Sequence, residues 1–368
     1  MEVLSKLDSQ KVSGAQVSTV KACSRSDYID YVRQLDAATP ARFNADPSNL
    51  FETSGSAGKL IVFAVRVDTF ERARDTRVIH IATNFAEDLT EVKARLLAQH
   101  DLVPIAAEYI HREMWQTATR YARDMFAAIN VLGTGRLPAL FAFKGSFDRI
   151  ASRLPVSIAH PSDRFLQLLG RFLPQGLPKR ARNAGRDCEH HLLLKIDGAQ
   201  TAALERVLNQ IFSPGSGVVT FCSEKEGRKL FLHRFVAAGA AIRYDILHSR
   251  QQSRLISLDI ALKRNDRDWH HFLPESLSRR ISRKLVYGHF FCNVLHLDFI
   301  ARADEDVERL KADILDWYSS RGAEYPAEHN VGHVYTAPPQ LLDFYRKLDP
   351  KNALNPGIGK TSKASNWT

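Results

Sequence analysis

Two short stretches toward the C-terminal end gather side chains that can move a proton or hold a cation. His289 and His296 stand in YGHFFCNVLH, and Glu328, His329 and His333 follow in PAEHNVGH. Neutral imidazoles and a carboxylate can bind a divalent ion or take a proton from a substrate. A scattered histidine is ordinarily a core or surface residue satisfied by its neighbours. Five ionisable groups flanking apolar, strand-like sequence form a more pointed constellation.

Arg234, in FLHRF, and Arg243, in IRYD, sit within largely apolar segments. A guanidinium there is costly unless paired, and its partner is either a substrate carboxylate or a local acid such as Asp245. The C-terminal LNPGIGKTS imitates a phosphate loop, but Leu354 stands where the first glycine is required. Only nine residues follow Gly359, too few for the helix whose N-terminus would hold phosphate. The GTG at 133–135 is a lone turn signal.

A third feature suits a surface rather than a small molecule. Phe165, Leu168, Leu169, Phe172 and Leu173 fall at helical spacing, and Pro174 ends the stripe. Arg164, Arg171, Lys179, Arg180, Arg182 and Arg186 bring six cations between positions 164 and 186, with no acidic residue among them. An apolar stripe beside uncompensated cations fits a helix lying on anionic lipid. The alternative is a surface helix packed on its own domain and followed by a solvated basic loop. Nucleic acid is not expected, because no aromatic platforms alternate with the arginines.

The elements that must position these residues alternate between strand and helix. KLIVFAVRVD, from Lys59, reads as a buried strand after the turn Ser54-Gly55-Ser56-Ala57-Gly58. RVIHIATN, a helix over 85–99 capped by Thr83 or Asn84, and a strand near 102–107 follow. The rhythm returns as HHLLLKI, a helix over 202–212, GVVTFC, a helix over 226–240 and LISLDIAL. YGHFFCNVLHLDF leads to a helix over 307–320 stopped by Gly322, and a last helix covers 340–348. This predicts an α+β fold, an antiparallel sheet with helices on one face. Residues 111–187, with five prolines and no strand rhythm, read as a mainly helical insertion.

With 368 residues, 44% hydrophobic and 25% charged, the chain is ordinary globular material. A net charge of +10 favours an anionic partner without choosing one. Cys23, Cys188, Cys222 and Cys292 are scattered, so neither a zinc knuckle nor a disulfide framework is expected, and a reducing cytoplasm fits. The first residues lack the apolar core of a secretory signal. The longest uncharged apolar stretch, 285–297, is well short of a bilayer span, so the chain is expected to be soluble or to lie on a membrane.

PARFNADPSNLFETSGSAGKLIVFAVRVDTF, EHHLLLK, FLHRFVAAGAAIRYD, LDIALKRND, YGHFF, YPAEHNVGH and DPKNALNPGIGKTSK, in this order from about residue 39, closely resemble the quinone-dependent, respiratory D-lactate dehydrogenases. AEH-x-x-G and LNPG more distantly resemble the wider flavoenzymes that bind FAD in a split two-part domain and oxidise 2-hydroxy acids. The resemblance implies that residues 1–68 are a remnant of the second FAD-binding subdomain. It makes 69–110 and 188–319 the substrate cap, 111–187 the membrane-associating insertion, and 320–368 a segment returning to the flavin domain. The N-terminal half with its glycine-rich pyrophosphate loop would lie outside these segments, on a separate chain or otherwise supplied. Gly55, Ser56, Gly58 and Asn355 would approach the flavin. His329, His289, His296 and Glu328 would handle the hydroxyl proton, and Arg234 and Arg243 would hold the carboxylate of D-lactate or a similar 2-hydroxy acid. Electrons would pass to a quinone at the cytoplasmic face of the inner membrane. Metal-using relatives have a glycine-rich turn between the two histidines, where this chain has FFCNVL, so no metal is predicted. The alternative is a peripheral membrane-binding protein without turnover.

Overall fold

The computed structural model describes residues 28–44, 46, 48, 53, 55–63, 65, 73–151, 160–213, 215–249, 252–328, 333 and 335–368. Two compact units divide the chain: residues 1–34, 41–72 and 324–368, and residues 35–40 and 73–323. After α1 (Tyr28–Arg33) in the smaller unit, the larger runs β1 (Thr76–Thr83), α2 (Ala86–Ala98), β2 (Ala106–His111), α3 (Arg112–Tyr121), α4 (Arg123–Leu132), α5 (Leu137–Ala151), α6 (Pro161–Phe172) and α7 (Lys179–Asp187). It continues with β3 (His190–Asp197), α8 (Thr201–Ile211), β4 (Gly217–Cys222), α9 (Glu224–Phe235), α10 (Ala237–His248), β5 (Leu255–Ala261), α11 (Glu275–Ser278), β6 (Ile281–His289), β7 (Val294–Ala301) and α12 (Val307–Ser320). α13 (Pro339–Leu348) lies in the smaller unit.

The strands form one antiparallel sheet in the order β4-β1-β3-β2-β6-β7-β5. Helices cover both faces, not the single face expected. Neighbouring residues of a strand point to opposite faces. Ile110 packs into a cluster with Met114 and Trp115 of α3, Leu230 of α9 and Ala240 of α10. Tyr109, on the other side, meets the Trp269 ring edge-on at 5.0 Å, and the Trp269 indole donates to Thr90 of α2. Along β3, His190–Leu194 are all buried, on both faces of the strand, as in a strand covered twice.

Several boundaries follow from local chemistry. Ser223 caps α9 reciprocally with Glu226, and a break at Val236 divides the expected 226–240 helix into α9 and α10. YGHFFCNVLHLDF is a hairpin of two strands, turning through Phe290–Cys292 and Asn293, whose φ is 52°. Gly288 is required there, since a Cβ would meet the Val294 carbonyl oxygen at 2.2 Å. The Thr83 hydroxyl accepts from the Phe85 N–H and donates to Asp88 at the start of α2. The second strand is displaced from its expected place at 102–107, because His100–Leu102 forms a tight turn first. Lys59–Phe63 form no strand; Ile61 and Phe63 are exposed, and the remainder of KLIVFAVRVD lies largely outside the described residues.

Candidate functional site

In the larger unit, a row of charged and aromatic side chains crosses β2, β6, β7 and β5 on the face that α9 covers. Register does the positioning: Glu108 stands opposite His289, Tyr287 opposite His296, and His296 opposite Asp259. Arg234, near the end of α9, places its Nε 2.9 Å from Glu108 Oε2 and its guanidinium over the Tyr287 ring at 4.5 Å. Glu108 Oε1 accepts from His289 Nδ1 at 3.0 Å. His296 Nδ1 lies 3.2 Å from Asp259, and the two histidine rings are edge-to-face at 5.3 Å.

Electrostatics give these groups distinct states. Burial acts to raise the Glu108 carboxyl, but the His289 bond and the Arg234 charge outweigh it, so Glu108 is held below the ordinary range. Burial lowers the His296 imidazole although the Asp259 bond opposes, so His296 is neutral at physiological pH. With Nδ1 facing the Asp259 carboxylate at 3.2 Å, a proton on Nδ1 is favoured and Nε2 is then the basic atom. Burial raises Asp298 to about 6, where it accepts from Ser257 at 2.6 Å. Glu108, Asp259 and Tyr287 were missed in the sequence; the alternation that places 108, 287 and 289 on one face shows only once β2 is known to pair with β6.

Arg243 is placed elsewhere. Its buried side chain pairs with Asp124, lies 3.3 Å from Asp163 Oδ1 and donates to the Tyr121 carbonyl. Its acids come from the helical segment, not from Asp245, which instead accepts from Ser249, Ser253 and the Arg254 N–H. This places Arg243 in the anchoring of α6 rather than beside Arg234.

In the smaller unit the glycine turn and the C-terminal segment come together. Gly55 and Gly58 have φ of 70° and 79°, and Asn355 donates its side-chain amide to the Ala57 carbonyl at 2.9 Å. A Cβ at Gly58 would stand 3.1 Å from that amide. The Ser56 hydroxyl donates to the Thr53 carbonyl. Lys59, fully buried, ties the two segments: its ammonium donates to Asn352 at 2.5 Å and to the Leu354 carbonyl at 2.7 Å, with Asp349 at 3.7 Å. The turn is a backbone surface suited to one side of a flat ring, but the described residues offer no glycine-rich loop opening a helix to grip a diphosphate. Glu328 pairs with Arg42, and Asn44 donates to the Glu328 carbonyl. His329 lies outside the described residues.

The helical segment has an inverted amphipathic helix. α6 buries its polar side, Ser162, Asp163, Gln167 and Gly170, and exposes Phe165, Leu168, Leu169 and Phe172, the last at 81%. Val131, Leu132, Phe147 and Ile150 of α4 and α5 are also exposed. The packed-surface reading accounts for little of the stripe: Leu168, Leu169 and Phe172 are exposed, while the half-exposed Phe165 ring meets that of Phe147 of α5 at 6.5 Å. Arg164, Arg171, Lys179, Arg180 and Arg186 are exposed, and Arg182 is half-buried. Arg171, Lys179, Arg182 and Arg186 join Arg120 and Arg123 around a cavity of about 690 Å³, with no acidic side chain among the described residues that line it. Among the described residues no single helix is long and apolar enough to cross a bilayer.

Comparison with known proteins bears on the whole arrangement. Residues 78–367 match the family model described as D-lactate dehydrogenase, membrane binding. The chain is 45% identical over 367 residues to the quinone-dependent D-lactate dehydrogenase of Escherichia coli (strain K12), covering 100% of the chain and 64% of that protein. It is 43% identical to the protein of the same name from Haemophilus influenzae, covering 92% of the chain and 60% of the relative, and 38% identical to that of Corynebacterium glutamicum, covering 94% and 60%. The chain thus spans about three-fifths of the length of the relatives it matches.

Proposed function

Because the chain belongs to the membrane-binding D-lactate dehydrogenase family, we propose that it supplies the substrate-handling and membrane-attaching parts of an oxidation of D-lactate to pyruvate with a membrane quinone as electron acceptor. The observation that carries this reading is the row Arg234–Glu108–His289 beside His296–Asp259. Arg234 holds the substrate carboxylate, which orients the hydroxyl-bearing carbon. An imidazole, His296 at Nε2 or its neighbour His289, takes the hydroxyl proton, and the carboxylates behind them, Asp259 and Glu108, stabilise the imidazolium that forms. Glu328 and His329 are assigned to the same proton handling by resemblance. FAD, when bound, supplies the hydride acceptor.

Gly55, Ser56, Gly58 and Asn355 would meet the flavin, and the diphosphate grip would come from the relatives' remaining length. The exposed Ile61, Val62, Phe63 and Val65 are apolar surface that such a partner segment would cover. The outward apolar face of α6 and the cations beside it attach the protein peripherally to anionic lipid, at the cytoplasmic face. The deciding experiment is co-expression with the flavin-binding segment of a relative. A yellow complex that reduces quinone with D-lactate is expected, while the chain alone should be colourless and inactive. A yellow complex inert toward D-lactate and other 2-hydroxy acids would sink the proposal.

A further inference from the structure

We propose that a cavity of about 360 Å³ inside the helical segment is the pocket for the ring of the membrane quinone; this rests on the quinone-acceptor reading above and gives the acceptor a place. Its walls are Met125, Ala128, Leu140 and Leu166, from α4, α5 and α6. The volume falls within the range of small-ligand sites. Phe147 and Phe165, both part-exposed, line it on the outward apolar side, their rings 6.5 Å apart and nearly parallel. Lys144 and the buried Arg243 line it too, together with Asp124.

The charges select the class of ligand. Lys144 lies 2.8 Å from Asp163, and Arg243 pairs with Asp163 and Asp124, so two cations and two carboxylates cancel. A phosphate finds no net attraction there. An uncharged carbonyl finds a donor, because the Lys144 ammonium has three N–H bonds and meets one carboxylate. A phospholipid acyl chain would bring a methyl terminus to these polar groups and bury them without compensation. A quinone enters with its carbonyl ring first and leaves its isoprenoid tail among Phe147, Phe165 and the exposed Leu169, continuous with the lipid-facing side of α6.

The test uses the full chain in lipid-free buffer and a benzoquinone bearing one isoprenyl unit, with lyso-phosphatidylglycerol as competitor. One quinone per chain is expected, weakened at least tenfold by Leu140→Trp, which fills the cavity, and about tenfold by Lys144→Met, with unfolding temperatures showing that both variants fold. A photoreactive azido-quinone should label α5 or α6. Equal affinity in Leu140→Trp, labelling confined to other elements, or displacement by the lysophospholipid at equal concentration would overturn the pocket. Reduction of a soluble dye by D-lactate, measured on the unmodified flavin-complemented protein, tests the underlying reading separately. Dye reduction without quinone in the pocket removes only this inference; quinone binding without dye reduction removes the functional reading it rests on.

Discussion

Asp163 turns inward from α6 to lie 3.3 Å from the Arg243 guanidinium of α10, while Phe165, two residues on, faces outward. A buried ion pair therefore sets the orientation of a helix whose apolar stripe would otherwise seek the core. Replacing Arg243 by Leu leaves Asp163 and Asp124 short of their shared cation, and should destabilise the larger unit by about 3 kcal/mol. Asp163→Ala should cost less, about 1–2 kcal/mol, because Asp124 still compensates Arg243. Urea unfolding of the three proteins checks the order; equal stability would show that the pair does not hold α6.

If α6 presents its stripe to lipid, the stripe does nothing for the fold. Phe172→Ser and Leu168→Ser should leave unfolding stability within about 0.5 kcal/mol of the parent. Co-sedimentation with anionic vesicles should fall by roughly tenfold or more per side chain, from the loss of about 1.5–3 kcal/mol of apolar burial. Binding should weaken as salt rises, since Arg171, Lys179 and Arg180 are exposed and screened. Unchanged vesicle binding in the double variant would refute the membrane face.

The α6 stripe was legible because i, i+3, i+4 spacing is a local property of the chain. Its outward direction was not, since that depends on Arg243 meeting Asp163 across 80 residues. The same limit hid Glu108 and Asp259, ordinary acids in sequence that become partners of His289 and His296 through strand pairing. Strands β1, β3, β4 and β5 were readable from apolar runs. Lys59–Phe63 shows the converse: β-prone composition does not make a strand where the described residues offer no partner.

Arg234 contributes charge and a guanidinium fork to one face of the sheet. In the flavin-complemented protein, Arg234→Met should raise KM for D-lactate about 100-fold, the loss of roughly 2.7 kcal/mol of charge-assisted binding. Arg234→Lys should recover part of that. A parallel loss of kcat with KM unchanged would move Arg234 from carboxylate binding to the chemical step.

Acid should unfold the larger unit early, and histidines are the cause. Burial holds His80 and His233 at about 4, and burial with the neighbouring His111 holds His190 at about 4; His191 lies well below its ordinary value. Each unfolded imidazole takes its proton below about 6.5, while the folded one refuses it. Stability is therefore full above pH 6.5 and falls as pH drops toward 4. Asp298, raised to about 6, works the other way and loses its contribution as pH rises through 6, but it is one group against four. The urea midpoint should fall steeply between pH 6.5 and 4.5, and His233→Gln should flatten that slope. A flat profile in the parent would contradict the burial of these rings.

In the smaller unit, Lys59 is the cation that ties the glycine turn to residues 349–354. Burial lowers its ammonium although Asp349 opposes, and the aliphatic stem runs to a head 4.4 Å from the Trp367 ring centre. Lys59→Met keeps the stem but leaves Asn352 Oδ1 and the Leu354 carbonyl without this donor and Asp349 without its nearby cation, a loss of about 2–4 kcal/mol. The expected result is selective: proteolysis should open residues 349–368 while the sheet of the larger unit stays protected. Flavin retention by the complemented protein should drop with it, because Asn355 reaches Ala57 only while this tie holds. Protease resistance and flavin content equal to the parent's would show that the hydrophobic cluster of Leu341, Tyr345 and Ile358 holds the segment without Lys59.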